Sequence, residues 1–125
     1  MKLKMQKASK RGRFQNNWLN ARYSFSFVQY FSLEWLQFKS LWVLNHDQIQ
    51  PHSGFYFHSH QDNDEISLQE EEGVYIYNIE GSLTVLENQT LSDCDGLAIV
   101  ADKDESLNIS LKSLQNTHFI AFKMR

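Results

Sequence analysis

The sequence predicts an all-β fold, a small antiparallel sandwich or barrel, from three observations. Of the 125 residues, 42% are hydrophobic and one is proline, and a chain of this length can bury a core without metal or disulfide cross-links. Short apolar segments recur roughly every ten residues, with turn-forming residues between them. The sequence carries no long amphipathic helical pattern, which would have indicated a helical layer. Many short strands without helices are typical of a sandwich or a barrel.

The first predicted strand covers residues 22–28, because Tyr23, Phe25 and Phe27 alternate with serines. Residues 30–38 mix aromatic and aliphatic side chains without a clean period, so no element is predicted there. Turn-forming residues then separate a series of strand-like segments, and these turns are predicted at 51–54, 62–64, 80–81 and 93–96. The corresponding strands are predicted at residues 40–44, 54–60, 65–69, 74–79, 82–86, 97–100, 107–111 and 118–122.

The strand predicted at residues 74–79 carries large side chains on both faces. Tyr75 and Tyr77 lie on one face, and Val74 and Ile76 lie on the other. A strand with one solvated face alternates apolar and polar side chains. We therefore expect this strand to be buried on both sides.

The net charge of −3 is distributed unevenly along the chain. Residues 1–13 hold six of the twelve basic residues, and residues 14–125 hold six basic against fifteen acidic side chains, a net charge of −9. We expect a basic, flexible N-terminal arm at 1–13 and one folded domain at 14–125. The acidic domain argues against binding nucleic acid. The arm either stays solvated or contacts phosphates or anionic lipid.

The single cysteine, Cys94, excludes a disulfide within the chain. The N-terminus lacks the apolar segment of a signal peptide, and no apolar run is long enough to cross a bilayer. The sequence therefore predicts a cytoplasmic protein that does not bind membranes through its folded domain.

Two stretches of the sequence resemble one family. The motif Arg11-Gly12-x-Phe14, with NWLNARYSFSF at residues 17–27, resembles the opening of pirin-like proteins. The run VYIYNIEGSLTV at residues 74–85, with a closing FIAF at 119–122, resembles the end of the family's C-terminal cupin domain. Pirin-like proteins usually carry two cupin barrels, and this chain has room for one. The resemblance implies a shortened member with a single cupin domain, a double-stranded β-helix, at residues 14–125.

His58 and His60 form the motif of this sequence that is best suited to bind a metal ion. Residues two apart on a strand project from the same face, so both imidazoles can reach one divalent cation. Imidazole suits iron, nickel, copper and zinc. The resemblance implies the same role, because pirin-like proteins bind iron through a His-x-His pair, a further His and a Glu, and some cleave quercetin with dioxygen. The candidate metal ligands are His58, His60 and Glu65, with Asp64 or His52 as alternatives.

A second alignment of the motif gives the opposite answer. If Glu80-Gly81 is taken as the family's turn, the ligand-bearing strand becomes residues 65–69. Its inward side chains are then either Ser67 and Gln69 or the alternating pair Ile66 and Leu68, none of them a good metal ligand. The sequence leaves both alignments open.

Two functions remain in view. The first is a non-catalytic cupin with a degenerate metal site and no cofactor, which binds a small molecule or a protein. It is expected to be a homodimer, because half of a two-barrel protein exposes apolar surface. The alternative is a dioxygenase of the quercetin 2,3-dioxygenase type, dependent on a divalent metal such as iron, nickel or zinc. A small aromatic ligand is one candidate partner, with Tyr75, Tyr77 and Phe57 as candidate pocket residues.

Overall fold

The computed structural model describes residues 1–15, 19–27, 29–49 and 63–125. These residues form two compact units, one of Met1–Ala8 with the described part of Phe57–Arg125, and one of the described part of Ser9–Tyr56. Apart from a short 3-10 helix at Ala8–Lys10, the regular structure within these ranges is β-strand, and no helix among them is long and apolar enough to span a membrane. The predicted all-β class is confirmed. The single domain expected at 14–125 stays a prediction.

The described residues contain nine strands, which we number in chain order. They are β1 (Lys2–Gln6), β2 (Gly12–Gln15), β3 (Leu19–Tyr23), β4 (Asn45–Ile49), β5 (Asn63–Leu68), β6 (Gly73–Val85), β7 (Gln89–Leu91), β8 (Gly96–Val100) and β9 (Leu107–Met124).

The larger sheet is antiparallel and has the strand order β1-β8-β6-β9-β5. β6 lies at its centre, where its first half pairs with β8 and its second half with β7. β9 follows β6 along almost its whole length, from Gly73 opposite Met124 to Val85 opposite Leu111. The long central pair therefore organises the whole sheet.

One face of this sheet carries a packed aliphatic core. Val74 and Ile76 of β6 face it, and they stand opposite Ile99 and Leu97 of β8. Burying each such side chain contributes roughly 1.5–3 kcal/mol. The buried members of the core are Leu68, Val74, Ile76, Leu83, Val85, Leu91, Leu97, Ile99, Ala101, Ile109 and Leu111. Tyr75 and Tyr77 are also buried, which confirms that this part of β6 is covered on both faces.

The turn predicted at Glu80-Gly81 is wrong, because β6 continues through it. The pairing of β6 with β9 shifts register between Asn78 and Glu80 and again between Glu80 and Ser82. Gly81 has a φ of 94°, a value that suits glycine because it lacks a Cβ. A β-bulge uses the same residue types as a turn but leaves the strand running onward. The predicted strands 74–79 and 82–86 are therefore one element, as are 107–111 and 118–122.

The N-terminal residues also differ from the flexible arm expected at 1–13. Residues 2–6 form β1, an edge strand that pairs with β8 from Lys2 opposite Val100 to Gln6 opposite Gly96. Met5 packs against the aliphatic core. The alternation of Leu3 and Met5 with lysines suits an edge strand, where lysine opposes pairing with further chains.

Two polar contacts hold the ends of β1. The Met1 ammonium group contacts the carboxylates of Asp102 and Glu105. The hydrogen bond between the Met1 ammonium group and the Asp102 carboxylate raises the pKa of the Met1 amine and lowers the pKa of Asp102. At the other end, the buried Asp95 carboxylate accepts a hydrogen bond of 2.8 Å from the Ala8 backbone N–H. Each contact ties β1 to a turn that flanks β8.

The smaller sheet has the strand order β2-β3-β4. Gly12 of β2 lies where the Tyr30 ring approaches the backbone, and a Cβ at this position would meet that ring at 2.2 Å. The strand predicted at 22–28 is β3 only as far as Tyr23, and Phe27 instead forms an isolated bridge with Tyr30. The strand predicted at 40–44 is wrong, since Leu41 bridges to Phe38 within a turn. The strand predicted at 54–60 lies outside the described residues.

The turn between β6 and β7 offers a direct test of backbone strain. Glu87 is exposed and has a φ of 65°, a left-handed conformation that costs a residue with a Cβ roughly 1–2 kcal/mol. Glycine adopts this conformation without strain, and this gain is partly offset because glycine loses more backbone entropy on folding. Glu87→Gly is therefore expected to raise the free energy of unfolding by about 0.5–1 kcal/mol in urea titrations. The control Gln89→Gly, in β7, is expected to lower it by a similar amount. Equal destabilisation by both changes would contradict this account.

Candidate functional site

β5 shows which side chains of residues 65–68 face the core and which are exposed. Leu68 is fully buried and Ile66 packs against the core, whereas the side chains of Glu65 and Ser67 are exposed. The pairing with β9 sets Ile66 opposite Ile109. The described core-facing side chains of β5 are therefore the aliphatic pair Ile66 and Leu68, one of the two alternations that the second alignment offered.

The structure describes the side chain of one candidate ligand predicted from the sequence, Glu65. Glu65 lies on the exposed face of β5, where it stands opposite Ser110 of β9. Asp64 lies in β5, and its side chain lies outside the described part of the chain. His52, His58 and His60 lie outside the described residues, as does the candidate pocket residue Phe57.

The described residues do not fit a metal ion. Within 1–15, 19–27, 29–49 and 63–125, no three His, Cys, Asp or Glu side chains are grouped so that they could hold one. The core face of the larger sheet is lined mainly by hydrocarbon side chains, which have no lone pair to offer a cation.

Asn78 is the buried polar residue at the irregular part of β6. Its Nδ2 group donates to the backbone oxygens of Gly81 at 2.8 Å, Ser92 at 3.0 Å and Leu91 at 3.1 Å. Its own backbone oxygen accepts from the Cys94 N–H at 2.7 Å. The side chain thus holds the bulge of β6 against the end of β7. Its Oδ1 atom is buried without a hydrogen-bond partner among the described residues.

The turn between β7 and β8 supports the same region with two carboxylates. Asp93 accepts a hydrogen bond of 2.7 Å from the Gly81 backbone N–H. The buried Asp95 accepts one of 2.9 Å from the Ser92 N–H and lies 3.3 Å from the Lys7 ammonium. Carboxylates that accept backbone N–H groups stabilise tight turns. The acidic turn is therefore a structural junction, and the sequence offered only its Asp-x-Asp-Gly pattern as a turn signal.

Tyr75 and Tyr77 lie on the face of β6 opposite the aliphatic core. The Tyr75 hydroxyl donates a hydrogen bond of 2.6 Å to Oε1 of Gln6 in β1, and both side chains are buried. The sequence did not predict this pair, because β1 was expected to be flexible. This hydrogen bond gives the Tyr75 hydroxyl a partner within the sheet. The place of Tyr75 in a ligand pocket stays a prediction.

Comparison with known proteins identifies relatives in agreement with this fold. The family described as the quercetinase C-terminal cupin domain matches residues 48–124. The chain is 36% identical over 58 residues to quercetin 2,3-dioxygenase of Escherichia coli (strain K12), an alignment of 46% of this chain and 25% of that protein. It is 46% identical over 46 residues to a putative quercetin 2,3-dioxygenase of Pasteurella multocida (strain Pm70), 37% of this chain and 20% of that one.

The chain therefore spans about a quarter of the length of these curated relatives or less. Solved structures with a similar fold include YhhW from Escherichia coli, with a TM-score of 0.77 and 12% identity over 99% of this chain and 98% of that chain. The bacterial pirin YhhW in complex with nickel(II), also from Escherichia coli, has a TM-score of 0.74 and 16% identity over 98% and 99% of the two chains. The family match, which covers more than half of the sequence, and the shared fold establish that this chain belongs to the pirin-like cupin family.

Proposed function

We propose that this chain is a non-catalytic pirin-like cupin with a degenerate metal site, which acts by binding a small molecule or a partner protein. The observation that carries the proposal is the aliphatic core of the larger sheet. Among the β5 side chains that the structure describes, the two on the core face, Ile66 and Leu68, hold no ligand atom, and the exposed Glu65 lies on the other face.

A catalytic metal needs both ligands and space. It keeps an open coordination position for substrate or water inside a shaped cavity. The face formed by β6, β8 and β9 is filled by fully buried side chains such as Ile76, Leu83 and Ile109. Placing a charged ion among them would carry a large desolvation cost without compensating ligands. This packing supports a role in binding over one in redox chemistry.

The proposal places the protein in the cytoplasm. Its only cysteine, Cys94, is buried, and a fold that depends on hydrocarbon packing needs no oxidising compartment. The acidic balance of residues 14–125 supports a ligand other than nucleic acid.

The second candidate function is a metal-dependent dioxygenase of the quercetin 2,3-dioxygenase type. It is supported by the relatives that bear this name and by the pirin solved with nickel(II). In this case His58 and His60 would hold iron, nickel or zinc, with Glu65, Asp64 or His52 as a further ligand. A bound metal would hold the hydroxyl oxygen of the substrate, and the aromatic residues of the chain would position a flat aromatic ligand.

Replacing both histidines separates these two functions. His58→Ala/His60→Ala is expected to leave the urea midpoint of unfolding and the binding of any identified ligand unchanged. Oxygen uptake in the presence of quercetin is expected to stay at background for this variant and for the natural chain, with iron, nickel or zinc added. His46→Ala, in β4 of the smaller sheet, provides a matched histidine control.

One result of the oxygen-uptake experiment would contradict the proposed function. It is quercetin-dependent oxygen uptake by the natural chain, retained in His46→Ala and lost in His58→Ala/His60→Ala. That outcome would favour the dioxygenase.

A further inference from the structure

An exposed apolar surface lies on the segment that precedes β4. We define the loop surface as five large side chains with high fractional exposure. They are Phe31 at 69%, Leu33 at 78%, Leu36 at 46%, Trp42 at 65% and Val43 at 53%. Isolated exposed apolar residues are ordinary, but a group of them is typical of an interaction site.

Backbone and hydroxyl hydrogen bonds hold this segment in shape. The Ser32 N–H donates to Oγ of Ser26 at 2.9 Å, and the Trp35 N–H donates to Oγ of Ser32 at 3.2 Å. Phe38 and Leu41 exchange two backbone hydrogen bonds of 2.8 and 2.9 Å. The loop surface is thus presented by an ordered scaffold, which reduces the entropy that a partner must remove on binding.

The two halves of the loop surface lie side by side. The backbone N–H groups of Ser24 and Ser26 donate to the oxygens of Leu44 at 3.0 Å and Trp35 at 2.9 Å. Because Ser24 and Ser26 are only two residues apart, their acceptors Leu44 and Trp35 lie at neighbouring positions. The residues next to these two acceptors are therefore also close together. Trp35 itself is buried, with its ring centroid 6.2 Å from that of Phe25. The buried rings therefore anchor the segment while its neighbours point outward.

The summed exposed area of the five side chains approaches the area that one side of a standard interface buries. A fully exposed large apolar side chain presents about 200 Å², so these fractions correspond to roughly 600 Å². This equals the upper end of the largest apolar patch on a typical monomer, about 300–600 Å². One side of a standard interface buries about 800 Å², of which the rim is polar. Most of the apolar area of one such side is already present.

We propose that a second copy of this chain docks on the loop surface to form a symmetric dimer. Residues 29–44 carry one acidic side chain, Glu34, and one basic side chain, Lys39, so the segment is electrically neutral. In a two-fold contact each copy presents the same patch, and a neutral patch avoids repulsion between like charges. A strongly basic or acidic partner would find no complementary charge here. This inference is independent of whether the chain binds a metal.

Sedimentation velocity of the full, untagged chain tests the proposal. At about 10–100 µM the natural chain is expected to sediment with twice the chain mass. Leu33→Ser/Trp42→Ser is expected to raise the dimer dissociation constant at least about 30-fold and to sediment as a monomer, since buried tryptophans dominate interface energetics. Both replaced side chains are exposed, so the circular dichroism spectrum is expected to be unchanged. Ile120→Ser, an exposed apolar residue of β9, is the matched control and is expected to remain dimeric.

Two outcomes would overturn the proposal. A natural chain that stays monomeric throughout this range would assign the loop surface to a different partner. A dimer that persists in a folded Leu33→Ser/Trp42→Ser variant would place the interface elsewhere. Neither outcome depends on metal uptake or on oxygen consumption.

Discussion

Ile76→Ala is expected to lower the free energy of unfolding by about 3–4 kcal/mol. Ile76 is fully buried in the first half of β6, opposite Leu97 of β8 on one side and Ala121 of β9 on the other. Removing its three outer carbons loses their burial and leaves a cavity, because the neighbouring strands are fixed by backbone pairing and cannot close around it.

Urea unfolding of the natural chain and the variant measures this change. The matched control is Ile120→Ala on β9, where the side chain is 40% exposed. This control is expected to cost less than about 1 kcal/mol, since a half-exposed side chain contributes less buried area. Similar losses for the two variants would mean that the aliphatic core is not the main source of stability.

Asn78→Asp is the second change with a large expected effect, a loss of about 3–5 kcal/mol at neutral pH. The Asn78 amide donates to three backbone oxygens, those of Gly81, Leu91 and Ser92. An aspartate carboxylate has the same shape but donates no hydrogen bond, so one of its oxygens would face the three backbone oxygens. The change would also bury a charge without a partner. The bulge of β6 and the end of β7 would then separate.

The comparison with Asn108→Asp isolates this mechanism. Asn108 is exposed on β9, and its Oδ1 accepts a hydrogen bond from Ser67, a role that aspartate can also fill. Its replacement is expected to change stability by less than about 0.5 kcal/mol. Thermal unfolding at pH 7 measures both variants. A small effect of Asn78→Asp would show that the amide does not hold the bulge.

Most of the larger sheet could be predicted from its sequence pattern. β5 and β8 follow the strands expected at 65–69 and 97–100 closely. Residues 65–69 alternate polar and apolar side chains and residues 97–100 are apolar throughout, and both patterns are typical of strands. The burial of β6 on both faces followed from its two unbroken rows of large side chains.

The errors arose where one residue type serves two structures. Glycine at a positive φ occurs both in tight turns and in β-bulges, and only the pairing of β6 with β9 shows that Gly81 belongs to a bulge. β1 was not predicted, because its lysines indicate a solvated segment until β8 supplies a partner. Long-range pairing of this kind leaves no local signal in the sequence.

The candidate site was less predictable than the fold for a related reason. A change of strand register by one residue exchanges the buried and exposed side chains. The sequence alone did not decide whether Glu65 or Ile66 faces the core. Pairing with β9 decided it in favour of Ile66. The role of Asn78 was also hidden, because its three acceptors come from a bulge and a turn that the pattern did not reveal.

The metal content of the natural chain tests the proposed non-catalytic function most directly. The protein would be purified without chelators or a histidine tag, analysed for bound elements, and then titrated with ferrous iron, nickel and zinc. Far less than one metal ion per chain, with no stoichiometric uptake on titration, is the result that this account predicts. One tightly bound ion per chain, lost in His58→Ala/His60→Ala and retained in His46→Ala, would contradict it.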